Sequence, residues 1–492
     1  VFFILTKLFS NAEAMGHGIL LGWWLMLAGL GLSPQAQAQA RDAQSSIPAE
    51  ALSAEPIPAA PLPESPQSSA PASSQADTQS SPPTPLQPAA PWLTLQQLFD
   101  LPDWIKLGVQ LQAEPMANPY GGSRQTTNWM QQVVGSLSIG TGLAKDQSKW
   151  SEWDHWHVDA SINLYNGDPT YASQIGAALP LQQVALPLGL WLTQAQISRS
   201  SGDGWFGFKG GILSIIPDFI YSPIYDYYIH STLNDTLNIS INDLPVNPLA
   251  AVGGVVEIKP SKDLSLRYGL FDLATTRPMA KIFGVNPQIT VGGTGLVQLM
   301  QFSYSPDWLG PAPGTALPVC INGNRYTRRT ASCQTPGAIQ SQLPSGVLQL
   351  GGYSTSYSED GSGLNGTLSF NSGLPLGLDH RFWIGSNYSF NTDVDPTPVF
   401  VSAGFVSQGL IPSRPFDVFM VGLGKTGFLP TVSASPPNSP SQSYEGVVEV
   451  GYQIQLNPTL NLQPSVQWII NPGARGNIPG VFATTIQLTL NL

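Results

Sequence analysis

The sequence predicts an all-β fold, a transmembrane antiparallel β-barrel of 16 strands, preceded by an export signal and an irregular linker. Three observations lead there. Only 10% of the 492 residues are charged, against roughly 25% in a soluble domain, yet mean hydropathy is +0.01. After residue 33 no apolar run reaches the roughly 20 residues that a spanning helix needs. Segments of about 10–12 residues that alternate apolar with uncharged polar side chains recur as far as Leu492. Successive side chains of a strand point to opposite faces, so each such segment offers one face to lipid and one to water. The 19 Phe, 13 Trp and 15 Tyr exclude a chain that is disordered throughout.

The elements follow in order. Ile19 to Leu32 is apolar but too short to span a bilayer comfortably, and Ala36, Ala38 and Ala40 then supply an A-x-A cleavage pattern. Residues 1–40 are therefore read as a signal peptide. Residues 41–91, rich in Pro, Ser, Ala and Gln without periodicity, cannot bury enough apolar surface to fold and read as a linker. Residues 92–492 read as the barrel, with a short helix near 93–99 at its entry.

The C-terminal strands carry the clearest alternation. Ile486, Leu488, Leu490 and Leu492 alternate with Gln487, Thr489 and Asn491. In 444–456, Tyr444, Val448, Val450, Tyr452, Ile454 and Leu456 share the lipid phase, and Glu445, Glu449, Gln453 and Gln455 the lumen phase. An antiparallel sandwich would alternate as well. Strand length and the scarcity of charge on the polar face favour the barrel. The predicted spans are 106–113, 131–142, 154–165, 190–199, 206–214, 249–258, 264–272, 295–305, 346–356, 363–371, 380–390, 398–406, 417–425, 443–453, 459–468 and 482–492. An even count leaves both termini in the periplasm, and a barrel of this size encloses water. The count also puts 306–345 on the side of the termini, where turns are normally short. Either the count is off by one or the insertion is unusual.

Net charge is −11 and the isoelectric point about 4.8, which argues against a nucleic-acid partner. No nucleophile elbow, phosphate loop or metalloprotease motif is present, so neither an enzyme nor a cofactor is expected. His155 and His157 share a strand face beside Asp159 and read as polar lumen residues rather than a metal site. Cys320 and Cys333, close together in an exported chain, are expected to form a disulfide worth roughly 3 kcal/mol in the chain-entropy account. By phase, Asp159, Lys209, Glu257, Arg267, Glu445 and Glu449 face the lumen. The longest outward connection, 215–248, holds Tyr225, Asp226, Tyr227 and Tyr228. Rings with polar tips suit the C–H faces and hydroxyl rims of sugars, so this loop is expected to fold inward and constrict the pore.

The stretch Tyr444-Glu445-Gly446-Val447-Val448-Glu449-Val450-Gly451-Tyr452, followed by Leu462-Gln463-Pro464-Ser465-Val466-Gln467-Trp468-Ile469-Ile470-Asn471-Pro472-Gly473, resembles the carbohydrate-selective porin (OprB) family. Asn247 to Gly253 with Leu270-Phe271-Asp272 is similar to its central strands, and Asn118-Pro119-Tyr120-Gly121-Gly122 to the first loop of cyanobacterial members. The resemblance covers 92–492. It implies a channel in the outer membrane of a Gram-negative-type bacterium that lets small hydrophilic solutes, sugars foremost, diffuse passively. Its partners would be outer-membrane lipid, the solutes, and further copies of the chain should it form a homo-oligomer. Two alternatives stay open: a pore for inorganic ions, iron included, and a structural membrane protein tethered by the linker.

Overall fold

The computed structural model describes residues 94–140, 155–201, 204–216, 218–234, 244–246, 248–275, 295–317, 319–322, 325–328, 339–356, 361–390, 397–411, 413–429 and 442–492. The expected signal peptide, the whole of the expected linker and Cys333 of the expected disulfide lie outside these residues.

A four-residue helix, α1 (Leu95–Leu98), opens the described chain under a capping box in which Thr94 and Gln97 satisfy each other's backbone amides. Strands then succeed one another: β1 (Ile105–Tyr120), β2 (Thr127–Gly140), β3 (His155–Gly167), β4 (Gly189–Ser200), β5 (Phe206–Leu213), β6 (Ala251–Ser261), β7 (Leu264–Asp272) and β8 (Leu296–Tyr304). A separate hairpin, β9 (Val319–Asn322) with β10 (Arg325–Arg328), interrupts them. The barrel resumes with β11 (Val347–Ser356), β12 (Ser362–Phe370), β13 (Asp379–Ser389), β14 (Val399–Gln408), β15 (Val418–Gly427), β16 (Tyr444–Asn457), β17 (Leu460–Ile470) and β18 (Val481–Asn491).

Sixteen strands close into one antiparallel barrel, each beside its neighbour in sequence, with β8 meeting β11 across the inserted hairpin. Closure is made by β1 against β18, from Gln110 opposite Asn491 to Tyr120 opposite Phe482, with a register shift between Ala117 and Tyr120. It leaves no edge strand whose amides would face lipid unpaired. The expected architecture and strand count both hold. The largest boundary change is β1, which runs on through Pro115 and Pro119 to Tyr120. Proline cannot donate to the ladder and argues against a central strand, yet Pro115 still opposes Trp129 of β2. The extension brings Glu114 onto the inner wall.

The outer face is apolar, with Leu364, Ile384, Leu423 and Ile486 about half exposed. Outward aromatic side chains gather at both rims, as in a membrane barrel. Phe370, Phe382, Phe405 and Phe419 follow one another around the end that carries Ile105 and Asn491. Tyr120 stacks on Trp468 at the opposite end, ring centroids 6.3 Å apart.

With the count confirmed, each connection can be placed. Those at 168–188 and 214–250 rise from the end opposite the termini and are called here the second and third loops. The long 305–346 insertion belongs to the end that carries Ile105 and Asn491. The sequence expectation that this insertion is unusual, rather than that a strand was miscounted, is the one realised.

Candidate channel and its constriction

The lumen phase holds two kinds of wall. Along β12 to β18 and the upper part of β1, many inward side chains are buried, most under the second and third loops and some, such as Arg381 and Gln408, under the 305–346 insertion. The second loop carries α2 (Tyr171–Ile175), and the third a 3-10 turn at Pro223–Tyr227 followed by α3 (Ser231–Asn234). One apolar cluster joins Ile175 and Leu181 of the second loop, Tyr225, Tyr228 and Leu233 of the third, and Trp383, Met420, Val447 and Ile469 of the wall. Leu343, from the insertion at the other end, belongs to the same cluster. A second cluster roots the third loop: Ile215, Phe219 and Ile220 pack on Val255, Phe271, Val297 and Leu299 of β6 to β8.

Wall glycines make this docking possible. A Cβ at Gly404 would stand 2.5 Å from the Tyr228 hydroxyl, and one at Gly422 would stand 2.6 Å from the Tyr228 ring. Into that space Tyr228 brings a hydroxyl that donates to the Val421 carbonyl at 3.0 Å and accepts from Trp383 Nε1 at 2.8 Å. The Tyr225 hydroxyl shares a hydrogen bond of 2.6 Å with Thr367 Oγ1, and its ring meets Trp383 edge-on.

Both rings are fully buried, so Tyr225 and Tyr228 are docking residues and not the solute platforms the sequence suggested. Their aromatic character is used against the wall. Asp226 and Tyr227 stand between them in the chain, Tyr227 packing against the edge of the same apolar cluster. Asp226 is exposed to the lumen, where the Tyr221 hydroxyl donates to its carboxylate. Crowding by protein pushes the Asp226 carboxyl up to about 6. Tyr227 is half-buried and donates to the Gln342 carbonyl of the insertion at 3.4 Å. Segments from the two ends of the barrel thus touch inside it. His230, next in the loop, is buried and its imidazole is lowered to about 3 by that burial, so it is neutral.

The wall of β1 to β5 is different. A cavity of about 290 Å³ lies against its inner face. Gln110, Gln132, Ser161, Asn163, Thr193 and Gln196 line it with amides and hydroxyls, while Val134, Leu213 and Ile216 add an aliphatic patch. These polar groups are held in place. The Tyr165 hydroxyl accepts from both Gln132 Nε2 and Asn163 Nδ2 at 3.1 Å. Gln196 Nε2 donates to Asp159 Oδ2 at 3.0 Å. Two charge groups on this side are paired: Lys209 with Asp218 at the cavity, and Arg267 with Glu257 at 2.8 Å, with Lys259 as the second partner of Glu257.

The ten residues picked from the sequence therefore divide. Asp159, Lys209, Glu257 and Arg267 lie on β3 to β7, on or beside the open wall. Glu445 and Glu449 face inward as the phase required, but they are 2% and 0% exposed and lie under the loops rather than at water. The amide set of the open wall was not singled out. Its phase was readable, but which stretch of inner wall stays uncovered depends on where the loops dock.

The sequence matches the carbohydrate-selective porin, OprB family, over residues 145–492. The chain belongs to that family. Among solved structures, the high-pH form of Pseudomonas putida OprB aligns with a TM-score of 0.62 at 14% identity, covering 81% of this chain and 96% of its own. The low-pH form of the same porin gives 0.46 at 13% identity, covering 83% and 100%. A Rh. blastica porin mutant gives 0.43 at 9% identity, covering 79% and 100%. No curated protein matches the chain. As a member of the OprB family the chain is a porin for small solutes, and family and fold are those of a channel rather than an enzyme.

Proposed function

We propose that this porin conducts small hydrophilic solutes through an off-axis path along β1 to β5, with neutral sugars preferred over ions. The observation that carries the reading is the chemistry of the open wall. Its polar groups are uncharged amides and hydroxyls set beside an aliphatic patch, and Lys209 and Asp218 at its edge neutralise each other. Fixed amides replace the water around solute hydroxyls, and the patch accepts a sugar's C–H face. An ion-selective pore instead sets unpaired charge at its narrowest part. At about 290 Å³ the cavity suits a monosaccharide-sized solute and falls at the low end of small-molecule sites.

The apolar outer face and aromatic rims fit lipid contact in the outer membrane of a Gram-negative-type bacterium. Current through the purified protein in a planar bilayer, measured against added sugars, tests the reading. Sugar should block the current in a saturable way with weak ion selectivity. Strong, salt-dependent ion selectivity without sugar block would support the inorganic-ion alternative.

A further inference from the structure

Three glutamates on the inner wall perform one recurring task, and none of them meets the open cavity. Glu445 and Glu449 are four residues apart on β16, hence on one face and roughly 14 Å apart along the strand. Glu445 accepts the backbone amides of Ala178 at 2.8 Å and Leu179 at 3.0 Å, both in the second loop. It also accepts the Gly473 amide at 2.7 Å, from the Asn471-Pro472-Gly473 turn. Glu449 accepts the amides of Ile229 and His230, both at 2.9 Å, in the third loop, and the Ser465 hydroxyl at 2.9 Å. Across the seam, Glu114 of β1 is held by Gln112 at 3.0 Å and Gln487 at 2.8 Å, with the Val184 amide of the second loop at 3.4 Å. Between the clips, the Ser231 hydroxyl donates to the Pro180 carbonyl at 2.6 Å and Asn234 Nδ2 to Gln183 Oε1 at 3.1 Å, so the two loops are joined.

We infer that Glu445, Glu449 and Glu114 are positioning residues that clip the second and third loops to the wall as one plug and so set the bore of the pore. A carboxylate that takes two adjacent peptide N–H groups fixes the path of the backbone whatever side chains the loop carries. Solute selectivity then depends on residues that no solute touches. Without a clip, two buried N–H groups lose their acceptor, and the favourable alternative is for the loop to lift into the lumen's water. The inference rests on reading the chain as an open channel, but not on which solute it prefers.

The test is single-channel recording of full-length protein carrying Glu449→Gln, Glu445→Gln or both. Heat-modifiable gel migration checks that each barrel has closed. Glutamine keeps the size but directs an NH2 at a peptide N–H. The expected result is a closed barrel whose conductance rises towards that of a variant lacking residues 219–230, with added switching between levels. Ile229→Pro removes one of the clipped N–H groups and leaves every wall residue in place. The preceding Tyr228 is already extended, at φ −110° and ψ 143°, as a residue before proline must be. This variant should show the same rise and should add little to Glu449→Gln. Closed barrels with native conductance and quiet current in Glu449→Gln and Ile229→Pro would overturn the inference. Ion conductance is read without sugar, so a failed sugar preference would leave this result standing.

Discussion

The inner faces of β2 to β5 and of β13 to β17 come from the same alternation, yet they end in opposite conditions. On β13 to β17 the inward set includes the apolar Trp383, Val406, Met420, Val447 and Ile469, with glycine at 404 and 422, among buried polar side chains such as Glu445, Glu449 and Gln467, and two loops pack on it as on a protein core. On β2 to β5 the inward set is mostly Gln, Asn, Ser and Thr, and it faces a cavity. In such a barrel, "inward" does not mean "wet". A wall with apolar side chains and missing Cβ atoms is a docking surface. A wall of amides braced by hydroxyls is the proposed conduit.

The docking wall should be most sensitive at Trp383. Truncating it to alanine should cost about 3–5 kcal/mol, as for large aromatic residues in cores, because it supports both Tyr225 and Tyr228. Val134→Ala on the open wall should cost well under about 1 kcal/mol, since little packs on it. Reversible urea unfolding into lipid vesicles would compare the two, and equal costs would erase the distinction between the walls. Next in size, Gly422→Val should cost about 1–3 kcal/mol by overpacking against Tyr228. Gly207→Val, whose Cβ would find its nearest neighbour at 3.7 Å, should be close to neutral in the same assay.

A smaller effect sharpens the open wall. Gln132→Leu removes one amide braced on Tyr165 and should weaken sugar block by about 1 kcal/mol, roughly five-fold in the blocking constant. Small-ion conductance should hardly change. Smallest of all is the charge on the plug's exposed corner. With its carboxyl raised to about 6, Asp226 is neutral in more acidic solution and ionised above that value. Cation preference should therefore rise modestly as pH passes upward through about 6, and Asp226→Asn should flatten that dependence. Reversal potentials across a salt gradient would show it.

The barrel was legible because a period of two, repeated sixteen times, leaves few other folds. The phase of β16 and β18 placed Glu449 and Gln487 inward correctly. The fate of those side chains was not legible, because it depends on contacts with loops more than 200 residues away in sequence: Glu449 to Ile229, Gln467 to Leu181. Tyr225 and Tyr228 illustrate the same limit. Aromatic residues in a loop suit a sugar and suit a core equally, and only the glycines opposite decide between them. Glu114 was missed for a local reason, since Pro115 argued that the strand had already ended.

On the proposed path, solutes pass along β1 to β5 and not along β13 to β17. Two matched cysteines, in a background with Cys320 and Cys333 replaced by serine, distinguish the two walls. Val134 and Val447 are the same residue type in the same inward phase, one lining the cavity and the other 4% exposed beneath the plug. A charged, water-soluble thiol reagent should modify Val134→Cys quickly and lower the single-channel current in one step, while Val447→Cys stays unreacted. Equal reaction of both, or current loss through Val447→Cys alone, would contradict the account.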